Sequence, residues 1–334
     1  MKKFINDPMN VVDETIAGLL KAYPNHLKLV TGSPRSLVRV DAPVKGKVGI
    51  CTGGGSGHIP VFLGYVGPGL LDGVAVGNVF SSPSSDAMFA ATKEVNGGAG
   101  VLYLFGNYGG DKMNFEMSAE MAEMANIPVK MSIAADDVAS APRSEKERRR
   151  GVAGIFFAYK IAGAKADTRA DLDAVKATSD RVIENTCTIG VALTPCIIPA
   201  VGKPNFTIGD DEMEVGMGIH GEKGIERTKI KPADEVAAIM ADRVVNDLPF
   251  KRGDEVAVLV NGLGATPPEE LFILNSKFSD ILKGQGIKVF RTYVGEYATS
   301  MEMAGASLSL LRLDDEMKKL LLAPAFSPFL LQWK

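Results

Sequence analysis

The chain has 334 residues, of which 46% are hydrophobic and 23% are charged, and its formal net charge is −3. This composition is typical of a globular protein with one large or two ordinary domains, and the slight negative charge argues against nucleic acid as the main partner. The longest uncharged stretch contains two prolines, and the N-terminal segment MKKFINDP lacks an apolar core, so the sequence predicts neither a membrane span nor a signal peptide. The three cysteines, Cys51, Cys187 and Cys196, show no CxxC spacing. Neither a disulfide framework nor a zinc site is predicted, no other metal site is expected, and the cytoplasm is the simplest compartment.

Short apolar segments alternate with helical patterns in the first half, which predicts an α/β fold. A first helix is expected over 9–23, with Asn10 as a candidate cap. The strands expected next, and the amphipathic helices between them, are 46–51, 100–105 and 129–134, and 84–95 and 114–126. The helix over 114–126 carries a row of methionines, which we predict to pack in the core.

The second half repeats this alternation. Two helical segments within 151–190 are followed by a strand in IGVAL and by a turn-rich stretch, so we place a domain boundary near 185–195. The result is two α/β domains, 1–190 and 191–334, each built on a sheet flanked by helices. Later strands are expected at 255–260, 287–293 and 307–313. The apolar C-terminal segment LLLAPAFSPFLLQWK is expected to pack onto a domain or a partner subunit.

Two further motifs are interpreted as structural. The basic run ERRR at 147–150 lies in a polar stretch and is expected to be a solvated loop or helix start, with an interface or anion contact as the alternative. NGLGATPPEEL lacks the GxGxxG spacing and the lysine of a phosphate-binding loop. Thr266, Pro267 and Glu269 instead favour a capping box with proline at the helix start.

The stretch GGGSGH at 53–58 follows the strand expected at 46–51. Glycines at such a strand end let backbone N–H groups approach a ligand closely. No lysine follows, so the loop is a weaker candidate for phosphate than for a small polar molecule, to which it would present the imidazole of His58. A purely structural tight turn is the alternative.

The other two histidines differ in their surroundings. His26 lies in a polar turn after the first helix, and a surface or capping role is expected. His220 is flanked by glycines at 216, 218 and 221, a pattern that indicates close approach of backbone or ligand, although a structural role is the alternative.

Asp111, in NYGGD, follows the strand at 100–105, where open α/β sheets place their ligands. Its carboxylate is a candidate for orienting an imidazole or for general-base catalysis, and capping of a helix beginning near Lys112 is the alternative. If the two halves pack together, His220 can reach over to His58 and Asp111 from the other half.

Taken together, these motifs resemble the substrate-binding subunit of dihydroxyacetone kinases over essentially the whole chain. The matching stretches, in chain order, are INDP, DAPVKGKV, GGGSGH, GYVGPGLLDG, SSP, NYGGD with NF after it, RRGV, GKPNF, DEMEVGMGIHGE, VNGLGAT and SMEMAGASLSLLRLD. So many ordered motifs at conforming spacing are specific to that family.

The resemblance implies that His220 forms a covalent hemiaminal with the ketone carbon of a short ketose. A neutral imidazole is a nucleophile, and its addition to a carbonyl fixes the position of the substrate. Polyols such as glycerol are then rejected because they have no carbonyl. The resemblance also implies that His58 and Asp111 are an acid–base pair that assists adduct formation and deprotonates the terminal hydroxyl that attacks phosphorus.

The same resemblance implies a substrate pocket lined by the backbone of Gly55, Ser56 and Gly57, with Ser82 as a weaker candidate. It further implies that this chain binds no cofactor of its own. ADP or ATP with Mg²⁺ would be held by a separate helical nucleotide-binding subunit. A homodimer of two-domain protomers is implied as well.

Two departures from the family pattern bear on the substrate. Many relatives have Glu where this chain has Ile59, and many have a lysine that contacts the substrate where this chain has Gly106; Gly109 also replaces a threonine. Loss of the lysine opens space and removes a donor. A pocket adapted to a longer ketose such as erythrulose is one interpretation, and retention of dihydroxyacetone is the other.

Two other functions are consistent with the same sequence. The first is a non-catalytic ketose sensor that acts as a transcription co-activator on this fold, although a sensor needs no base and the chain retains all three candidate catalytic residues. The second is a self-sufficient kinase that uses GGGSGH as a phosphate loop, for which binding of ATP to this chain alone would be the evidence.

Overall fold

The computed structural model describes residues 2–333, so Met1 and Lys334, the outer ends of the two predicted domains, lie outside the described residues. The fold is α/β, as predicted, with two six-stranded sheets flanked by helices. The helices are α1 Val11–Ala22, α2 Ser85–Val95, α3 Gly109–Met124, α4 Ile155–Asp167, α5 Leu172–Glu184, α6 Ala233–Asp247, α7 Pro268–Gly284 and α8 Asp315–Leu322, with short 3₁₀ turns at Leu63–Tyr65 and Arg143–Arg148.

Twelve of the described strands form the two large sheets, and the last two form a hairpin near the C-terminus. In chain order they are β1 Leu27–Val30, β2 Ser33–Arg39, β3 Gly49–Ser56, β4 Gly73–Val79, β5 Val101–Gly106, β6 Val129–Ala134, β7 Thr186–Ala192, β8 Glu212–Val215, β9 Glu226–Lys229, β10 Glu255–Gly262, β11 Lys288–Gly295, β12 Gly305–Arg312, β13 Ala325–Ser327 and β14 Leu330–Gln332.

The first sheet has the order β1-β2-β4-β3-β5-β6. Strands β4, β3, β5 and β6 are parallel to one another, and β1 and β2 add an antiparallel edge. Strands β3 and β5 are buried along nearly their whole length because helices cover both faces of the sheet. The carboxyl ends of three neighbouring strands, β4, β3 and β5, therefore meet at one edge, where such sheets bind ligands.

The second sheet has the order β11-β10-β12-β7-β8-β9 and is mostly antiparallel, with only β10 and β11 parallel. Helices α6 and α7 pack together and cover one of its faces. Its apolar cluster, which includes Val244, Val258 and Leu308, is distinct from the cluster between the two sheets.

Helix α4 packs against both halves of the molecule. It is apolar around most of its circumference. All its residues from Ile155 to Ala164 are buried, Lys160 included. A helix of this kind must be covered on every side. One hydrophobic cluster accordingly contains α4 together with residues of the first sheet, such as Leu104, and of the second, such as Leu259 and Leu311.

The predicted division at 190/191 falls inside β7, which belongs to the second sheet. The chain thus passes from one sheet to the other before Thr186, and the two-domain division stays a prediction. The C-terminal segment contacts the second sheet, where Gln332 accepts from the Tyr293 hydroxyl at 2.9 Å, and it also reaches the first half. The backbone N–H of Phe326 donates to Pro68 O at 2.9 Å, and its ring lies 4.6 Å from that of His26, so the hairpin β13–β14 packs on the first half.

The predicted strands and helices are all present, with shifted ends. Strand β6 has the predicted bounds, whereas β3 runs on through three glycines to Ser56, beyond the predicted end at 51. Helix α3 begins at Gly109, five residues before its predicted start, and this places Asp111 in its first turn. Asn10 occupies the N-cap of α1, but its side chain makes no capping hydrogen bond.

The prediction that the methionines of 114–126 pack in the core is wrong. Met117 and Met124 are 48% and 79% exposed, and the buried face of α3 is formed instead by Phe115, Ser118 and Ala122. The methionines repeat every three or four residues, as core residues do, and spacing alone cannot tell which face of a helix is covered.

The prediction of a solvated ERRR run is also wrong for two of its arginines. Arg149 is 1% exposed and forms a bidentate pair with Asp247, and Arg150 pairs with the buried Asp137. A paired arginine can be buried because both its charge and its donors are satisfied.

The expected capping box at Thr266 is absent. Its hydroxyl donates to Gly305 O at 2.6 Å and accepts from Gly305 N at 2.8 Å, which ties the loop to β12. Proline does stand at the start of α7, as predicted. Over 2–333, no helix combines the length and the apolar composition needed to cross a membrane.

Candidate active site

Polar side chains and glycines gather where β3, β4 and β5 end. Residues 56–58 follow β3, Phe80 to Ser82 follow β4, and Gly106 to Asp111 follow β5. The second half adds the segment after β8, which contains His220, and the segment after β11, which contains Thr299. Five loops from both sheets thus surround one place.

The glycines of GGGSGH are required by packing as much as by any ligand. A side chain at Gly54 would meet the ring of Phe62 at 2.2 Å, and one at Gly55 would meet the backbone N of Ser81 at 2.6 Å. Gly57 has φ +102°, and a side chain there would meet the ring of Phe80 at 2.8 Å. Gly54 and Gly55 therefore have a packing role in a strand and not in the tight turn that was the structural alternative, and a role of the segment in binding stays a prediction.

His58 is completely buried, and its imidazole is held in one tautomer. Nδ1 lies 2.8 Å from Thr299 O, a carbonyl that can only accept, so Nδ1 carries the proton. Nε2 is then a bare acceptor, and it is buried without a hydrogen-bond partner among the described residues. Burial, followed by the charge of His220, lowers the pKa of His58 to about 3, so the ring stays neutral at physiological pH.

Asp111 lies in the first turn of α3 and does not cap that helix. Tyr108 occupies the N-cap position, and no side chain makes a capping bond there. The Asp111 carboxylate instead accepts from the hydroxyl of Ser82 at 2.5 Å, and Ser82 also accepts from Asn114 at 3.3 Å. Burial raises the pKa of Asp111 to about 6, against the opposing effects of the Ser82 hydrogen bond and the charge of His220.

His220 reaches the site from the second half. Its carbonyl accepts from the side chain of Asn205 in GKPNF at 2.9 Å, and its Nδ1 lies 2.8 Å from the Glu222 carboxylate. Gly221 has φ +87°, and a side chain there would meet Asn205 at 2.3 Å. The glycines around His220 hence allow the close approach of side chains that fix its loop.

Three aromatic rings surround the imidazole of His220. The centroids of His58 and Tyr108 each lie 4.8 Å from it, and that of Phe80 lies 5.2 Å away, all close to perpendicular. Phe80 also stacks on His58 at 4.8 Å, and its φ of +57° is in the left-handed region that phenylalanine rarely adopts. Such strain at a binding site indicates that the ring position matters.

The two departures from the family pattern differ in their surroundings. Ile59 is partly buried against the main hydrophobic cluster, where a glutamate would be poorly placed. Gly106 ends β5, and a side chain there would lie 3.3 Å from the ring of Tyr108. The absence of a side chain at Gly106 therefore leaves Tyr108 free to sit beside His220.

Sequence reasoning missed five residues of this site. Phe80, Tyr108, Thr299, Glu222 and Arg150 all contact or hold the three candidate catalytic residues. Glu222 had a signal, since it stands two residues after His220 within GIHGE. Thr299 had none, because only the packing of the two halves brings it to His58.

The glycine-rich stretch is not built to cradle phosphate. Gly53, Gly54 and Gly55 belong to β3 and stand in register with Ala75, Val76 and Gly77 of β4. Their backbone is extended and paired within the sheet, unlike the curled backbone of a phosphate loop, whose N–H groups converge on the phosphate. Within 2–333, no group of three or more histidine, cysteine and acidic side chains is arranged to hold a metal ion.

The site brings together three groups that are candidates for chemistry. His220 offers an imidazole with Nδ1 engaged, Asp111 offers a carboxylate whose pKa of about 6 suits general-base catalysis near neutral pH, and His58 offers a neutral acceptor. These groups suit covalent capture of an electrophilic carbon and deprotonation of a neighbouring hydroxyl.

Comparisons with known proteins identify a family and several similar chains. A family profile described as Dak1 domain matches residues 17–329. The chain is 44% identical over 316 residues to the dihydroxyacetone-binding subunit DhaK of the PTS-dependent dihydroxyacetone kinase 1 of Listeria innocua, covering 95% of each chain. It is 39% identical to the D-erythrulose kinase of Mycolicibacterium smegmatis, covering 98% of this chain and 56% of that longer one.

Two solved structures share the fold closely. The dihydroxyacetone kinase operon co-activator DhaQ superposes with a TM-score of 0.90 at 30% identity, covering 96% of this chain and 98% of DhaQ. The dihydroxyacetone kinase of C. freundii in complex with AMP-PNP and Mg²⁺ superposes with a TM-score of 0.88 at 31% identity, covering 99% of this chain and 61% of that one.

Proposed function

The chain belongs to the family defined by the Dak1 domain, and from that premise we propose that it is the ketose-binding subunit of a dihydroxyacetone-type kinase. Its substrate is a short ketose, dihydroxyacetone or erythrulose, whose terminal hydroxyl is phosphorylated by a separate nucleotide-bearing subunit. The observation that supports this most strongly is His220, whose Nδ1 is engaged by Glu222 while its ring faces His58 and Tyr108.

In the proposed reaction, Nε2 of His220 adds to the ketone carbon. The N–C bond forms as the π bond of the carbonyl breaks, the oxygen takes up a proton from solvent, and the ring releases its Nδ1 proton to give the neutral hemiaminal. Asp111 then removes the proton from the terminal hydroxyl, because a carboxylate with a pKa of about 6 is ionised at pH 7 yet still basic. His58, which stays neutral, accepts a hydrogen bond from a substrate hydroxyl through its free Nε2.

The substrate would lie against the carboxyl end of β3. Gly55 and Ser56 end that strand, Gly57 follows it, and their backbone would line the pocket, while Ser82, in the loop after β4, orients Asp111. We assign Gly106 to the same pocket, where the missing side chain leaves room for the fourth carbon of erythrulose.

The nucleotide is proposed to bind elsewhere. Since the glycines of β3 are engaged in the sheet, ADP or ATP with Mg²⁺ is assigned to a separate helical subunit rather than to this chain. A homodimer is proposed from the family resemblance, and light scattering on the purified chain would test it.

A second function is supported by one observation. The co-activator DhaQ superposes with a TM-score of 0.90, so a ketose sensor on this fold is the alternative. A sensor would capture ketose but would never become phosphorylation-competent with any nucleotide-bearing subunit. The kinase is favoured because the chain keeps Asp111, held by the Ser82 hydroxyl at 2.5 Å, and a sensor needs no such base.

Calorimetric titration tests the proposal. The purified chain is titrated with dihydroxyacetone, erythrulose, glycerol and ATP, and the titrations are repeated on His220→Ala and on His26→Ala, a control at an exposed histidine outside the site. We expect a ketose to bind to the unmodified chain and the control, and no binding by glycerol or ATP or by His220→Ala. Equal ketose binding by His220→Ala would rule out covalent capture, and tight ATP binding would revive the self-sufficient kinase.

A further inference from the structure

We propose that Glu222 and Arg150 are positioning residues that hold His220 in the one tautomer and direction that can capture a ketone. This inference rests on the function proposed above and deepens it. Together with Asp137, these residues form a row of alternating charges that runs from the buried interior to the imidazole.

Glu222 grips His220 at two points. Its Oε1 lies 2.8 Å from the imidazole Nδ1, and its Oε2 accepts from the backbone N–H of His220 at 2.9 Å. A carboxylate only accepts, so Nδ1 must carry a proton, and in the neutral ring Nε2 then keeps its lone pair. The second contact fixes the carboxylate relative to the backbone, and the imidazole direction is fixed with it.

Arg150 holds Glu222 in turn. One guanidinium nitrogen lies 4.0 Å from Glu222 Oε2, while the others donate to Asp137 at 2.8 Å and to Gly216 O at 3.0 Å. The Asp137 side chain is 3% exposed and that of Arg150 is 14% exposed. Asp137 and the Gly216 carbonyl fix two of the guanidinium nitrogens. The third nitrogen therefore faces Glu222 with its positive charge in a fixed position.

The charges near Glu222 favour its anionic form. Burial by itself would raise its pKa, but the hydrogen bond and charge of His220 and the nearby Arg150 lower it to about 2. Glu222 is hence anionic at neutral pH. An anion at Nδ1 favours positive charge on the ring, which is the charge that develops when Nε2 forms its bond.

Gly218 lies against the contact between Glu222 and Arg150, where a side chain would not fit. A side chain there would lie 2.2 Å from Glu222 Oε2 and 2.6 Å from Arg150 Nη1. Gly218 has no positive φ that would explain its identity. Its role is then to leave room for the carboxylate and the guanidinium.

The contacts of Glu222 with His220 have a role in the captured state. When Nε2 bonds to the ketone carbon, the carbonyl π bond breaks, its oxygen takes up a proton, and the ring becomes positively charged until the Nδ1 proton is released. Glu222 offsets that charge at hydrogen-bond distance while it stays anionic, and loss of the Nδ1 proton to solvent leaves a neutral adduct. A side chain that orients a functional histidine in this way is a recurrent device.

The experiment compares four variants by ¹³C NMR of dihydroxyacetone labelled at C2, in which capture replaces the ketone signal by that of a carbon with four single bonds. We expect Glu222→Gln to weaken capture about 10- to 100-fold, the range found for partners that orient a functional histidine. Glu222→Asp should recover part of the loss, and Arg150→Lys should weaken capture about tenfold. Arg149→Lys is the matched control, since Arg149 is adjacent, buried and paired with Asp247 outside the site.

A second readout distinguishes positioning from stability. The chain has only three histidines, so ¹⁵N spectra of the imidazoles are simple to assign. We expect the Nδ1-protonated form of His220 in the unmodified chain and a mixture of tautomers in Glu222→Gln. The inference is overturned if folded Glu222→Gln captures ketose as well as the unmodified chain, or if Arg149→Lys loses as much capture as Arg150→Lys. Absence of capture by the unmodified chain would overturn the proposed function itself, and this inference with it.

Discussion

The imidazoles of His58 and His220 meet edge to face with their centroids 4.8 Å apart, although one follows a strand of the first sheet and the other a strand of the second. Neither half of the molecule has both rings. Their contact exists only because the loop of His58 is bound to the second half, through Thr299 O to its Nδ1 and through Met301 N to Gly57 O at 2.8 Å.

The buried His58 makes the fold sensitive to acid. Its pKa is about 3 when folded and near ~6.5 when unfolded, so the unfolded chain binds the extra proton and stability falls as the pH drops below about 6.5. Between pH 7 and pH 4.5 we expect the unmodified chain to lose about 2–3 kcal/mol more than His58→Gln, which cannot take up that proton. Urea unfolding at both pH values measures this, and parallel losses in the two proteins would contradict it.

The buried carboxylate of Asp111 is expected to lower the stability of the fold and to support activity. Its folded pKa of about 6 exceeds the ordinary ~3.9, so the folded state holds the proton more tightly and stability is lost as the pH rises through 6. Asp111→Asn should therefore be more stable than the unmodified chain by about 2–3 kcal/mol at pH 8 and nearly equal to it at pH 4.

The same variant should lose about 10²- to 10⁴-fold in phosphorylation rate while it still captures ketose, since only the base is removed. Thermal unfolding and a coupled assay with the nucleotide-bearing subunit check the two halves of this prediction. If Asp111→Asn is less stable than the unmodified chain at pH 8, the carboxylate has no stability cost, and if the variant is fully active, Asp111 is not the base.

Substitution of Gly106 should change the preferred ketose. The lysine of Gly106→Lys would fill space beside Tyr108, where a side chain comes within 3.3 Å of the ring. We expect the ratio of kcat/KM for erythrulose to that for dihydroxyacetone to fall about tenfold, equivalent to ~1.4 kcal/mol. Gly106→Ala, which adds only a methyl group, is the control and should change the ratio little. An unchanged ratio in Gly106→Lys would favour the interpretation that dihydroxyacetone is retained.

The docking of the C-terminal hairpin can be tested at Gly67. A side chain there would lie 2.0 Å from Phe326 O, so Gly67→Ala should push the hairpin away and cost about 1–3 kcal/mol. Gly18→Ala in α1 meets nothing within 4 Å and should instead gain up to about 1 kcal/mol from helix propensity. Denaturant titration compares them, and equal stabilities would mean that the hairpin contributes little.

The sequence predicted the fold class and the position of the site for identifiable reasons. His58 and Asp111 follow strands whose apolar runs are unmistakable, and parallel strands bring their ends to one edge. The partners of those residues could not be derived in this way, because Thr299 and Phe80 reach them through tertiary packing. The strand β3 was predicted too short because three glycines look like a loop until the rings of Phe62 and Phe80 are placed against them.

Burial was the quantity that the sequence predicted worst. Arg150 was expected in solvent and is held inside by Asp137, while Met117 and Met124 were expected in the core and are exposed. The charge pattern and the methionine spacing were both identified correctly. Burial was decided instead by a partner distant in sequence, which the arginine has and the methionines lack.

The hairpin β13–β14 also sets an order of events during synthesis. Every strand of the first sheet precedes residue 135, yet part of the surface beside it, from Leu63 to Gly69, is covered by residues 324–329. A chain still emerging from the ribosome must therefore carry that apolar surface uncovered until residues 324–329 have been translated. The first half can form its sheet early, but the surface beside it is covered only by residues that follow about 190 positions later.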